Sequence, residues 1–360
     1  MKLQNHILAF AKNDNETIKL FNSFSDYYNH FLSNKGVEGL DYKADVTFAE
    51  KETAINEAMV SEIMKRANVS SGTDIREQMD SPMIQWASFA IISNLVDTVL
   101  PVSLEQYLGS WADIQYGGYG DIFEFRKSFN GFLKVTKAGR AQRLAELQRI
   151  VPGALKIEPE PHMLTMETDL YRLILGLDSL AEMTALVARS MANAIAVEAM
   201  GALANAVSGL SNDATTGLRV AGYSQANLMA IASRVEAWTG TTPWIIGTGV
   251  ALSSIVPSAT GANIPVDSNY VAIGHVTSAF GYPVFRLPQI PGATAYGTGL
   301  DDEILYIIPS AGKPIKVAVG GEMRNTTSTF EFANLKQTVT MFKDFGVGLA
   351  TGAVFGAVEL

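Results

Sequence analysis

Apolar residues recur at steps of three and four through residues 178–207, DSLAEMTALVARSMANAIAVEAMGALANAV. Leu180, Met183, Val187, Met191, Ile195 and Leu203 form the main stripe, and the opposite face is mostly alanine. Only Glu182, Arg189 and Glu198 bring charge into the run. Alanine, leucine and methionine are strong helix formers, so this pattern predicts one helix about 45 Å long. Asp178 and Ser179 are placed to cap its start, and Ser208-Gly209 to stop it. A rod this apolar on all sides is expected to be covered on more than one of them. It reads as a spine on which a sheet packs and against which neighbouring subunits lie.

Upstream, residues 16–32 and 49–67 have helical periodicity with polar faces rich in Asn, Lys and Glu. Pro82 sits at a first-turn position of a further helix, and Pro101 is expected to end it. Gly117-Gly118-Tyr119-Gly120 is a turn, 121–129 alternates as a strand, and 132–136 as another. A basic stretch, 137–150, carries a short helix in this reading, and 154–167 runs back extended past Pro159 and Pro161. Residues 112–167 thus form a long two-stranded excursion that cannot bury itself and needs a cover. A strand over 168–176 then leads into the spine.

After the spine the period shortens. A helix over 224–238 is followed by short apolar strands at 244–246, 270–274, 282–287, 304–308 and 315–319, separated by Gly, Pro, Asn and Asp. Strands at 330–332, 338–342 and 347–358 close the chain. The expected organisation is α+β: N-terminal arm and helices over 1–111, hairpin over 112–167, spine unit over 168–214, compact α/β lobe over 215–322, and returning strands over 323–360.

Composition sharpens this picture. Of 360 residues, 48% are hydrophobic and only 18% charged, which points to extensive subunit contacts. The net charge of −9 argues against a protein built to grip nucleic-acid phosphates. With no cysteine there is no disulfide and no thiolate chemistry. Neither terminus reads as a signal peptide or a spanning helix, so a soluble chain without a membrane partner is expected. Charge is unevenly spread. Between Arg126 and Arg149 lie seven basic residues against one acidic, Glu146, a local +6 that leaves −15 on the remainder. Lys134, Lys137, Arg140, Arg143 and Arg149 are therefore candidate inter-subunit contacts, with electrostatic docking as their role.

Candidate chemistry is sparse. Gly222-Tyr-Ser224-Gln-Ala226 has the outline of a nucleophile elbow, with Asp267 and His275 following in hydrolase order. The polar run before it, SNDATTGLRVA, lacks the buried strand an elbow needs, and Ser224 more simply caps the next helix. Gly247-Thr-Gly249 reads as a turn, because Leu252 stands where a dinucleotide fingerprint needs its third glycine. His6, His30, His162 and His275 have no ligand spacing. Asp301, Asp302 and Glu303 form a short acidic cluster, read as a solvated loop. No catalytic residue, cofactor or metal site is expected.

The order of arm, hairpin, spine, lobe and returning strands resembles the major capsid proteins of tailed bacteriophages, the HK97-like fold that encapsulin shells also use. Gly120-Asp121-Ile122-Phe123-Glu124-Phe125 is similar to the strand entering the family's E-loop, Tyr171 to Asp178 (YRLILGLD) to its strand-to-spine junction, and Gly281-Tyr282-Pro283-Val284 to an inner strand of its axial domain. The likeness covers about residues 80–360. It implies a peripheral domain built on the spine and last strands and an axial domain over about 215–320. Residues 1–80 depart from the pattern and are expected to be a retained, extended arm. Some relatives crosslink an E-loop lysine to an asparagine of another subunit; Lys127, Lys134 and Lys137 lie in that hairpin, but no asparagine partner is identifiable. The resemblance implies an icosahedral shell of pentamers and hexamers around double-stranded DNA, with scaffold, portal and decoration proteins as companions, formed in the host cytoplasm and carried in the virion. An encapsulin-type compartment is the alternative, and a serine hydrolase using Ser224 the remote one.

Overall fold

The computed structural model describes residues 15–34, 46–69, 81–109, 111–126, 154–168, 170–213, 217–255, 276–287, 289, 292, 297–327, 337–350 and 354–360. Expected elements over 132–136, 137–150, 270–274 and 330–332 lie outside them.

Two helices come first, α1 (Asn15–Asn34) and α2 (Phe48–Arg66). They do not form the extended arm expected of residues 1–80. Phe24, Tyr27, Tyr28 and Leu32 of α1 and Met59 and Ile63 of α2 are fully buried in the main core. An arm would have left these aromatic rings in water, and burying them is what folds the segment back. Thr47 and Glu50 form a reciprocal capping box at the start of α2. The next helix, α3 (Pro82–Leu108), starts with proline in its first turn as expected. It does not end at Pro101, which sits inside it. The proline removes one amide from the helix ladder. Buried Val99, Leu100, Leu104 and Leu108 on both sides hold the rod together, and the Ser103 hydroxyl donates to Tyr28 Oη at 2.7 Å.

The strand order shows which parts of 112–167 form the hairpin. β1 (Ala112–Gly117) is not part of it and runs parallel to β10 (Ile315–Thr327). The hairpin base is β2 (Phe123–Arg126) with β3 (Ala154–Ile157), a separate two-stranded antiparallel sheet. β4 (Glu160–Thr168) pairs instead with β11 (Gln337–Leu349), giving a four-stranded sheet ordered β1-β10-β11-β4. The expected strand over 168–176 is a short helix, α4 (Leu170–Ile174). Gly176, at φ +71°, ends that turn, and Arg172 grips Asp178 through two bonds of 2.8 and 3.1 Å. Asp178 is therefore held by Arg172, and Ser179 is the cap: its hydroxyl accepts the Glu182 amide at the start of the spine, α5 (Leu180–Ser208). Asn56 of α2 completes that end, since its Oδ1 accepts the Ala181 amide at 2.8 Å.

α5 packs on α2 and α3 along one side and on β10 and β11 along another. Ala181, Ala185, Ala188, Ala192 and Ala199 are all fully buried, so the small-residue face is a contact face. Coverage is not complete, because Leu186 and Val197 remain exposed. α3 and α5 are long and apolar enough to cross a bilayer by length, but much of that surface is buried within the protein.

The lobe is a six-stranded sheet ordered β5-β12-β9-β6-β8-β7. It comprises β5 (Arg219–Ala221), β6 (Pro243–Thr248), β7 (Ser278–Ala279), β8 (Tyr282–Leu287), β9 (Ile304–Pro309) and β12 (Gly356–Glu359), with α6 (Gln225–Thr239) and α7 (Gly249–Ser253). Central β9 is buried at all six positions. One face meets α6 and α7 in a core of its own, and the other joins the main core through Ile246, Tyr306 and Ile308. The chain end was expected among the returning strands of the spine unit. β12 instead crosses into the lobe, between β5 and β9. The expected turn at 247–249 is the end of β6 and the start of α7, capped by Thr248.

A buried ion pair joins the helices to the sheet. Lys343 Nζ on β11 lies 2.6 Å from Asp97 Oδ1 on α3, and both side chains are under a tenth exposed. Asp97 Oδ2 also accepts the Met323 amide at 2.6 Å, and Lys343 donates to the Gly321 carbonyl at 2.7 Å. Lys343→Met, which strands Asp97, is expected to cost about 3–5 kcal/mol by chemical denaturation, and Asp97→Asn with Lys343→Met to recover much of it. Equal losses in both variants would show that the pair is not what fixes this contact. On the spine, Ala188→Glu puts an unpaired charge into a closed contact. It is expected to abolish soluble, cooperatively unfolding protein, as thermal melting would show.

Candidate assembly surface

The inner face of the four-stranded sheet carries Val339, Met341, Lys343 and Phe345 toward the helices. The outer face of its central strands is built differently. Gly346 and Gly348 alternate with Val347 along β11, and Gly117 and Gly320 lie on the neighbouring strands. This pattern makes a flat floor on which the hairpin base sits. A Cβ on Gly348 would stand 2.8 Å from Ile157 Cδ1, and one on Gly117 2.8 Å from Phe123 Cζ. On Gly346 it would meet Ile157 Cγ2 at 3.0 Å and the Glu158 carbonyl at 3.1 Å. Phe123, Phe125 and Ile157 close over Ala318 as a small separate core. Lys316 lies with its ammonium 5.8 Å from the Phe125 ring and 2.8 Å from Asp113. Gly346→Val should therefore unseat the hairpin while the two main cores persist. The expected readout is faster protease cleavage between 126 and 154 with little change in the main unfolding transition, and unchanged cleavage would rule the seat out.

Beside the seat lies an open cleft of about 350 Å³ lined by the 118–122 turn, Glu158, Pro159, Pro161, Gly320, Arg324 and Asp344. Arg324 holds Asp344 through bonds of 2.8 and 3.1 Å and lies 4.7 Å from the Tyr119 ring. Asp121 ties the turn by accepting the Gly118 amide at 2.6 Å. Tyr119, Ile122 and Met163 are 73%, 64% and 68% exposed around this region, large apolar surface for a sheet edge.

Lys134, Lys137, Arg140, Arg143 and Arg149 lie outside the described residues, as do Lys127, His6, Asp267 and His275. The structure places only the two strands, β2 and β3, from which the basic segment leaves and to which it returns. Ser224 is described. A strand, β5, does precede it, against expectation, but at the sheet edge and only three residues long. Its hydroxyl accepts the Asn227 amide at 3.1 Å as the cap of α6. His30 packs edge-on against Phe48, and His162 stacks on Phe345. Asp302 accepts from Thr248 and Gln289, and Asp301 from the Glu303 amide. Among the described residues no cluster has the makings of a metal site. Burial raises the hydroxyls of Tyr116 and Tyr306 well above the ordinary tyrosine range, with Glu105 and Asp301 adding to it, so both stay neutral donors. The glycine floor was missed from sequence, although Gly-Val-Gly at period two in a strand is itself a sign of close backbone approach.

Comparison with known families places this surface in context. Residues 26–359 match a family of prophage capsid proteins, which makes the chain a structural capsid protein and virion component, not an enzyme. The family is the one described as "SPbeta prophage-derived putative capsid protein YonB", and the chain belongs to it. No curated protein matches the chain. Similar solved structures include the capsid of a native GTA particle (14% identity, 72% of this chain and 90% of that one, TM-score 0.49). Others are the mature capsid of bacteriophage PhiM1 (12%, 70% and 86%, 0.45) and Mycobacterium phage Adephagia (11%, 71% and 89%, 0.45).

Proposed function

We propose that this chain is a major capsid subunit that tiles a closed icosahedral shell, as pentamers and hexamers, around double-stranded DNA. The observation that carries the reading is the match of residues 26–359 to a capsid family. The spine with the four-stranded sheet then serves as the peripheral domain of an HK97-like fold, the six-stranded lobe as the axial domain, and the hairpin rooted at β2 and β3 as the E-loop. The DNA is contained without sequence-specific contacts; a net charge of −9 suits a wall along which DNA slides without sticking. Scaffold, portal and decoration proteins are the expected companions, and assembly takes place in the host cytoplasm. An encapsulin-type shell is not favoured, because the matching family is prophage-derived. Negative-stain microscopy of the purified protein tests the proposal. Shells or capsomers holding nuclease-protected DNA are expected; a clean monomer would sink it, and shells filled with protein cargo would favour the compartment.

Within that reading, the basic segment is the docking element. Lys134, Lys137, Arg140, Arg143 and Arg149 meet acidic residues of the adjacent subunit, and this sets encounter rate and partner choice. Reversing two charges, Arg140→Glu with Arg143→Glu, is expected to leave the fold intact and to leave monomers or capsomers in place of shells. Wild-type assembly is expected to weaken with salt, since exposed charges are screened over about 8 Å at physiological ionic strength. Normal shells formed at normal rates by the double reversal would remove the segment from the interface.

A further inference from the structure

We propose that His162 is a proton-operated clip between the strand returning from the hairpin and the spine. His162 lies on β4, which begins only two residues after the hairpin base. Its ring stacks on Phe345 with centroids 3.6 Å apart and planes 16° apart, which fixes where both nitrogens point. Nδ1 faces the Glu160 carbonyl at 2.9 Å, and Nε2 faces Glu198 Oε2 on the spine at 3.1 Å. Both of these oxygens are acceptors. A neutral imidazole carries one N–H, so either tautomer sets a lone pair against one of the two oxygens. Only the imidazolium serves both, and its bond to Glu198 is then charge-assisted.

The surrounding charges leave this pair to itself. Lys343 is the cross-strand neighbour of His162, but its ammonium is committed to Asp97 of α3 and to the Gly321 carbonyl. The only other charged residues of the spine are Arg189 and Glu182, nine and sixteen positions before Glu198. On its own strand Glu160 is the near carboxylate, and Glu167 lies five residues on. The clip is closed while the ring carries both protons and Glu198 its charge, and opens when the ring loses one of them. The start of β4, held to the spine in acid and loosened at neutral pH, gives the subunit a conformational setting.

The inference does not rest on shell formation, because hydrogen exchange on the full-length chain in one assembly state reads it directly. After correction for intrinsic rates, amides of residues 160–168 are expected to exchange about fivefold more slowly at about pH 5.5 than at about pH 8, the scale of one half-exposed ion pair. His162→Gln and, independently, Glu198→Ala are each expected to erase that difference and leave the lobe amides unchanged. Either variant alone suffices if the other does not fold. A wild type with no such difference, or a difference that survives in the variants, would overturn the proposal.

Discussion

The structure depends on how one buried ion pair resolves an irregularity in the central sheet. Register between β10 and β11 shifts between Gly320 and Arg324, so the residues between them fall out of the ladder. A bulge of this kind leaves backbone groups without cross-strand partners, and buried polar groups in that state are costly. Here Lys343 takes the Gly321 carbonyl and Asp97 takes the Met323 amide, while the two side chains hold each other. Gly321, at φ +65°, supplies the left-handed residue the bulge requires. Buried charges stabilise only when their remaining hydrogen-bonding capacity is served. Tying α3 to this one point of the sheet also fixes the register of β11, whose other edge carries β4.

The two faces of that sheet meet opposite demands. Inward, large side chains interlock with α3 and α5, and Asn325 adds a 2.9 Å bond to Ser93 one helical turn from Asp97. Outward, the central strands give up side chains so that a second layer can approach within backbone distance. The hairpin base has only four paired residues on each strand, too few to hold itself in water. Phe123, Phe125 and Ile157 supply the burial that its ladder cannot, and the glycine floor makes room for them. The segment between 126 and 154 therefore leaves the body from a root fixed by packing.

The spine was legible because its signal is local: thirty residues of helix-forming periodicity with a capping serine at one end and Gly209 at the other. The short strands of the lobe were legible for the same reason, each bounded by turn residues. What sequence misplaced was set by distant contacts. Pro101 reads as a stop until Ser103 is seen donating back across it to the Val99 carbonyl and outward to Tyr28. The aromatic residues of α1 read as an arm until the core that receives them is known. β12 and β4 read correctly as extended chain, but no periodicity says which sheet a strand joins. The basic residues between 126 and 149 gave a clear charge pattern and no geometry, since nearly all of them lie outside the described residues.

The polar side chains that looked most like chemistry are spent on holding helix ends. Ser224, Thr248 and Ser179 each turn a hydroxyl to a backbone amide three residues on, and Thr47 does so in exchange with Glu50. Asp302 steadies Thr248, and Asp178 is held by Arg172, whose hydrogen bonds keep its carboxyl below the usual aspartate range. A hydroxyl committed to a cap is a poor nucleophile, because a lone pair is already engaged. Beyond such caps the chain offers shape, exposed apolar surface around Tyr119 and Ile122, and an uneven charge. Those are the means by which a protein recognises another copy of itself, and they need rigid roots more than reactive groups. The glycine floor under the hairpin and the ion pair beneath it provide that rigidity from the two sides of one sheet.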